Sequence, residues 1–340
     1  MGVRGLTNLI QKKAPEAKIY VSDTDMVGSK YAIDSSILLY KFSHASKTYE
    51  HSHTTGFMNK VVSFLGGGIL PVFVFDGDPP DEKMHTLNKR KEDKRKLYAK
   101  VEALEEQLPN LTERAEIEAC NKSIEHYRNQ IVKVTAVQKS SVLELLDILG
   151  IPVVESPGEA EQTCAYLQRT GLCDYCVTDD SDAFPFGGMR VIRLSNKTTH
   201  KKDHVEVFCL DKILTILGLS YSSFVDMCIL SGCDFCGTIP RVGPVSAFKY
   251  MAKYGTIEEL LKADVVKEPE TFEYSKARNI FLADHVPIDV LLKLSPMNST
   301  TLTAFLKSRN FQQREILKWI SKLENARQTF QKIEIAQNKI

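Results

Sequence analysis

Three apolar runs along the chain end on an acidic residue. Residues 31–34 (Tyr-Ala-Ile-Asp), 71–76 (Pro-Val-Phe-Val-Phe-Asp) and 175–180 (Tyr-Cys-Val-Thr-Asp-Asp) each predict a short buried strand with a carboxylate at or just past its C-terminal end. Between them, apolar positions recur at helical spacing over 57–65, 136–149 and 159–169. Strand–helix alternation predicts an α/β fold with a mostly parallel central sheet flanked by helices. In such sheets chemistry gathers beyond the carboxyl ends of the strands, so the three acidic endings are expected to converge.

Residues 83–135 break the alternation. They are highly charged, helix-compatible and interrupted near Pro109, and so read as a helical insertion projecting from the sheet. A pair of solvated surface helices is the alternative reading of the same run. Beyond residue 210 helical patterns take over, at 211–217, 221–230, 245–254 and 257–261. The expected division is therefore an N-terminal α/β region at 1–82, the insertion at 83–135, an internal α/β region at 136–236 and a helical C-terminal region at 237–340, together one compact domain.

Composition narrows the classes. The 340 residues are 43% apolar and 26% charged, ordinary for a soluble globular protein, and no apolar run approaches the ~20 residues of a membrane span. Lys12 and Lys13 follow the first apolar stretch where a secretory signal would place them before it. Leu6 stands where myristoylation wants Ser or Thr. Sequons at Asn110, Asn121, Asn196 and Asn298 carry no weight without a secretory route. Eight cysteines in a chain of this size suit a reducing interior better than a disulfide scaffold. Net charge is only +1, yet residues 83–100 set eight basic side chains against two acidic ones, a local charge of +6 suited to a polyanion.

Seven carboxylates stand where casual surface charge is disfavoured: Asp34, Asp76, Glu159, Glu161, Asp180, Asp182 and Asp234. Asp34 and Asp76 end strands, Glu159 and Glu161 follow the turn Ser156-Pro157-Gly158, Asp180 and Asp182 follow a strand, and Asp234 follows an apolar helix and Gly232. Any one of them could be a cap or a strand-end turn. Gathered at one point they would repel strongly without cations, and hard oxygen ligands suit Mg²⁺ or Mn²⁺. Two such ions about 4 Å apart would clamp a scissile phosphate.

Met1-Gly-Val-Arg-Gly-Leu6, Ala32-Ile-Asp34, the run Val72-Phe-Val-Phe-Asp-Gly-Asp-Pro-Pro80, Pro157-Gly-Glu-Ala-Glu161, Thr178-Asp-Asp-Ser-Asp182 and Gly232-Cys-Asp234 together resemble the flap endonuclease family of structure-specific 5′ nucleases. The likeness runs from residue 1 to about residue 320, with the motifs in order. It implies that Asp34, Asp76, Glu159 and Glu161 serve mainly one metal and that Asp180, Asp182 and Asp234 serve mainly the other, partly through water. It implies catalytic roles for Lys83 and Arg90, which lie about two helical turns apart and hence on one face. It assigns Tyr40 to stacking on the terminal base and sets Gly2, exposed once Met1 is removed, close to substrate. The insertion becomes an arch that passes a 5′ single strand and stops a duplex, and Lys94, Arg95 and Lys133 are candidate DNA contacts on it or at its foot.

Residues 239–247 look like the hairpin of a helix-two-turn-helix. Arg241 and Gly243 are its candidate phosphate contacts, and the family often holds K⁺ there. Val245 and Ser246 stand where basic residues are common, which shifts the expectation toward Lys249 and Lys253. An ordinary helix–helix turn is the bland alternative. The pairs Cys173/Cys176 and Cys233/Cys236 spell a zinc motif, but the first enters a buried strand and the second brackets Asp234, so buried free thiols are expected instead of zinc. The short 40–57 loop, with Tyr49, His51 and His53, is read as a reduced duplex wedge. The sliding-clamp motif is not evident, since Gln328 and Gln331 lack the aromatic pair. The whole resembles a compact, viral-type member acting as a monomer on branched or flapped DNA in replication, repair and recombination, at the nucleus or another DNA replication site. A dedicated 5′ exonuclease or junction resolvase of the same superfamily is the nearest alternative; a ribonuclease and a catalytically silent DNA-binding scaffold are more distant ones.

Overall fold

The computed structural model describes residues 2–44, 51–131, 134–193, 204–284, 287–288 and 290–337. In chain order, α1 (Leu6–Lys13), β1 (Lys18–Ser22), β2 (Lys30–Asp34), α2 (Ser35–His44), α3 (Ser52–Gly66) and β3 (Leu70–Phe75) come first. The charged hairpin α4 (Met84–Gln107) and α5 (Arg114–Gln130) follows. Next are α6 (Ala136–Ile148), β4 (Val153–Glu155), α7 (Ala160–Arg169), β5 (Tyr175–Val177), β6 (Arg190–Ile192) and β7 (His204–Cys209). From residue 210 the regular elements among the described residues are helices: α8 (Leu210–Leu217), α9 (Tyr221–Ser231), α10 (Pro244–Tyr254), α11 (Ile257–Lys262), α12 (Tyr274–Leu282), α13 (Ser299–Lys307) and α14 (Gln313–Gln337).

The seven strands form one sheet in the order β1-β7-β6-β5-β2-β3-β4. Neighbours from β6 to β4 run parallel, and β7 pairs antiparallel with both β6 and β1. Sequence patterning identifies the three central strands. It misses β4 and β6, which have only three residues each, and the edge pair β1 and β7. The expected strand 175–180 stops at Val177: the Thr178 N–H still reaches the Ile192 oxygen of β6 at 3.1 Å, but its hydroxyl accepts the Asp180 N–H at 3.0 Å and the chain turns there.

Alternation of side chains sorts the core onto the two faces of the sheet. Ala32, Val72 and Val74 point into a cluster with α1, α7, α8 and α9. Ile33, Phe73 and Phe75 point the other way, against α3, α6, α13 and α14, where Phe57 packs on Phe73 with ring centroids 5.4 Å apart. With both faces covered, β3 is buried along its whole length, as a central parallel strand requires. The α4–α5 hairpin has its own small core of Val101, Cys120, Ile124 and Ile131. Among the described residues no single helix is long and apolar enough to cross a membrane.

Three C-terminal helices are joined through one buried carboxylate. Asp226 of α9 accepts two bonds from Arg278 of α12, at 2.7 and 2.8 Å, and one from the Ile257 N–H at the start of α11, at 3.1 Å. The same guanidinium reaches Glu258 at 2.6 Å. Burial pushes the Asp226 carboxyl up while Arg278 and the Ile257 N–H pull against it; the more open Glu258 is lowered by Arg278. Replacing Arg278 by Met leaves Asp226 buried and unpaired. Complete burial of both partners would make that cost 3–5 kcal/mol, but the Arg278 side chain is 23% exposed, so about 2 kcal/mol is expected. Urea unfolding of Arg278→Met measures this, and a loss under about 0.5 kcal/mol would rank the network with ordinary surface pairs.

Candidate metal centre

Register brings the acidic strand ends together. Ile33 of β2 pairs with Phe73 on one side and Val177 on the other, so Asp34, Asp76 and the Thr178–Asp182 turn leave the sheet at one edge. Glu159 is the N-cap residue of α7 and Glu161 lies in its first turn, where the helix dipole favours negative charge. Asp76 accepts the Ala160 N–H of that helix at 2.8 Å.

Six of the seven carboxylates have a neighbour that fixes them. Thr178 Oγ1 donates to Asp34 Oδ2 at 2.7 Å. The Asp182 N–H donates to Asp180 Oδ1 at 3.0 Å, and Asp182 Oδ1 takes the Val3 N–H at 2.7 Å. The N-terminal segment is thereby threaded under the site. Gly2 lies at φ 77°, and a Cβ there would collide with the carboxylates of Asp180 and Asp182, so the position demands glycine twice over. Asp234 Oδ2 receives Arg90 at 2.7 Å and its main-chain oxygen receives Thr86 Oγ1 at 2.9 Å, both from α4. Lys83, at the foot of α4, pairs with Glu159.

Six of the seven carboxylates, all but Asp182, line one cavity of about 360 Å³ together with Lys83, Arg90, Tyr40 and Lys139. Asp76, Glu159 and Glu161 each offer an oxygen within 4.8 Å of the others, the one such group found among the described residues. Crowding shows in the proton affinities. Burial, then Asp76, pushes Asp34 up to about 7. Burial, then Asp180 and Asp34, lifts Glu161 well above the usual carboxylate range, and burial with Asp180 does the same to Asp182. Burial works against the Lys83 ammonium, but Glu159, Glu161 and Asp234 around it prevail and hold it above its ordinary value. The donor set is entirely hard oxygen and carries more negative charge than its basic neighbours offset, which fits a divalent cation of the Mg²⁺ kind.

The other sequence candidates fall in several places. Tyr40, 38% exposed, edges the cavity. Lys94 and Arg95 lie one turn and more beyond Arg90 on α4 and do not line it. Lys133 and Tyr49 lie outside the described residues, as does Met1. Arg241 lines a separate cavity with Ile239, Pro240 and Tyr250. Gly243 is the N-cap of α10, and its N–H donates to Ser246 Oγ at 2.9 Å, so the serine that stands where a basic residue is common closes the capping box from N3. His53 is buried in the first turn of α3, with His51 against Phe311, and so contributes to packing more than to an exposed wedge.

Two features were not read from sequence. Lys139 Nζ donates to the Asp76 main-chain oxygen at 2.8 Å, but its position in the 136–149 helical pattern gives no hint of that. Thr178 serves both Asp34 and Asp180; its place between a strand and an acidic pair was the available signal.

Comparison with known proteins agrees with this geometry. Residues 1–97 match the model of the XPG N-terminal domain and residues 150–234 that of the XPG I-region. Flap endonuclease 1 of Entamoeba dispar is 34% identical over 96% of this chain and 88% of its own length. Flap endonuclease 1 of Caenorhabditis elegans is 34% identical over 97% and 87%. The flap endonuclease-1 structure from Methanococcus jannaschii superposes with a TM-score of 0.66 at 27% identity, covering 91% of this chain and 96% of that one. The catalytic core of Rad2 in complex with DNA substrate superposes at 0.71, and its 24% identity establishes a shared fold alone. The acidic strand ends, the helical hairpin and these relatives converge: the chain belongs to the flap endonuclease family.

Proposed function

We infer that this protein is a structure-specific 5′ flap endonuclease, a nuclease that hydrolyses DNA phosphodiester bonds where a 5′ single strand leaves a duplex, with 5′→3′ exonuclease activity at nicks and gaps. The observation that carries this reading is the single cavity in which six carboxylates, Lys83 and Arg90 meet at the foot of a charged helical hairpin.

Asp34, Asp76, Glu159 and Glu161 would hold one divalent ion, and Asp180, Asp182 and Asp234 a second. Bound Mg²⁺, which Mn²⁺ can replace, supplies Lewis-acid charge to the attacking water and the departing oxygen. The protein's own groups do the rest. Lys83 and Arg90, already held at the cavity by Glu159 and Asp234, present fixed positive charge to the phosphate as its negative charge grows. Tyr40 offers a partly exposed ring at the cavity edge on which a terminal base can stack without regard to sequence. The hairpin draws a flexible single strand toward the cavity along the exposed basic turns of α4, and a duplex is too wide to follow. Arg241 is the basic group available to downstream duplex phosphate on the turn before α10. The enzyme works as a monomer in DNA replication and repair.

A 5′-labelled flap substrate tests the assignment. With Mg²⁺, one product released near the junction is expected, and EDTA should prevent its formation. Asp180→Ala should abolish cleavage while changing DNA affinity less than about tenfold, since it removes a ligand and leaves the hairpin intact. Near wild-type turnover in that variant would refute the metal assignment, and trimming of nicked duplex with an intact flap would move the protein to the exonuclease branch.

Lys83→Ala separates transition-state from ground-state charge. Turnover should fall by about 10²–10³-fold with little change in Kd. Equal losses in the two would demote Lys83 to a binding residue.

A further inference from the structure

The segment after α9 carries two thiols that the hydrolysis does not use. Cys233 and Cys236 are both free, and their Sγ atoms lie 3.8 Å apart. Cys233 is buried, whereas Cys236 is only partly so, and both face a second cavity of about 520 Å³ that also reaches Arg4, His85 and Lys89. Asp234 lies between them in sequence and lines this cavity as well as the carboxylate one. Phe235, the residue between Asp234 and Cys236, has its ring 5.9 Å from Lys83 Nζ.

We propose that Cys233 and Cys236 form a reversible disulfide that switches the nuclease off. The oxidant is a small disulfide such as glutathione disulfide. Cys236, the accessible thiol, displaces one glutathione thiol and forms a mixed disulfide; Cys233 then attacks the Cys236 sulfur and releases the second. One S–S bond forms in the protein, one breaks in the oxidant, and the two protein thiol protons end on two glutathione thiols. Cys164 and Cys176, a second neighbouring thiol pair, are wholly buried in the core and out of the oxidant's reach.

Closure has a defined mechanical consequence. A disulfide is about 2.05 Å long, so the sulfurs must approach by well over an ångström. The ends of the segment are anchored: the Gly232 oxygen accepts the Arg4 N–H at 2.9 Å and the Gly237 N–H donates to the Thr271 oxygen at 2.8 Å. Movement is therefore absorbed by the four residues between, and Asp234 is one of them. A misplacement of about 1 Å at a catalytic group costs on the order of a hundredfold in rate.

The proposal rests on the nuclease reading, but the bridge is detected by mass and not by cleavage, so the two can fail separately. The full chain is incubated with glutathione disulfide, alkylated and digested, and the peptides are mapped; flap cleavage is followed in parallel. A Cys233–Cys236 bridge is expected, with turnover reduced about a hundredfold in proportion to the bridged fraction and restored by dithiothreitol. Cys236→Ser should keep its reduced-state turnover and ignore the oxidant. If that variant does not fold, the proportion between bridge and lost turnover in the wild type decides. Absence of the bridge, a bridge with full activity, or an equally sensitive Cys236→Ser overturns the switch. A protein that cuts nothing before oxidation defeats the nuclease reading while the bridge is still scored.

Discussion

The structure depends on holding mutually repelling carboxylates in a space that excludes much of the water. Nothing in a hydrophobic core wants this arrangement, and the surrounding elements are shaped to support it. Asp34, Asp76, Asp180 and Asp182 are each tied by a hydroxyl or main-chain N–H, from Thr178, Ala160, Asp182 and Val3 respectively. These bonds fix positions without neutralising charge, so the oxygens stay available to cations. Burial first, and the neighbouring carboxylates after it, raise the proton affinities of Asp34, Glu161 and Asp182. Buried charge of one sign in this amount is stable when hard cations join it.

The N-terminus belongs to the same construction. Val3 donates its N–H to Asp182 and accepts the Ser181 hydroxyl at the base of the acidic turn, and Gly2 passes so close to Asp180 and Asp182 that no side chain fits. A segment that would ordinarily fray is made part of the site's floor. Arg193, bonded to the Asp179 main-chain oxygen at 2.9 Å and to the Thr7 hydroxyl of α1, braces that turn.

How much of this could be read beforehand follows from how local each signal is. The strands ending at Asp34 and near Asp76 announce themselves because a fully buried parallel strand is a continuous apolar run, and the charge after it stands out. The helical hairpin is equally plain, since α4 and α5 are long and Pro109 falls between them. Three-residue strands such as β4 and β6 have no period to detect. Lys139 is invisible for another reason: its bond to the Asp76 carbonyl joins residues 63 apart, and nothing in its helix distinguishes it from a solvated lysine. Ser246 stands where a basic residue is common, and the bond its hydroxyl accepts from the Gly243 N–H appears only in three dimensions. Distant pairing, not residue type, marks the limit.

Asp234 departs from the pattern of the other carboxylates and explains why the hairpin and the acidic cavity act as one unit. It sits on an irregular segment instead of a strand or helix end, and its fixed partners come from α4: Arg90 on the carboxylate and Thr86 on the main chain. Lys83 adds a third tie from the root of the hairpin, to Glu159. The first turns of α4 are therefore held by the same charges they help to balance. On the function proposed above, a strand drawn along α4 would compete, as a polyanion, for Arg90 and Lys83, and would release their carboxylates to cations. Placement of these groups in the first turns of α4 would thus couple arrival of a phosphate to completion of the site, which a hairpin bearing the same charge farther from its root could not do.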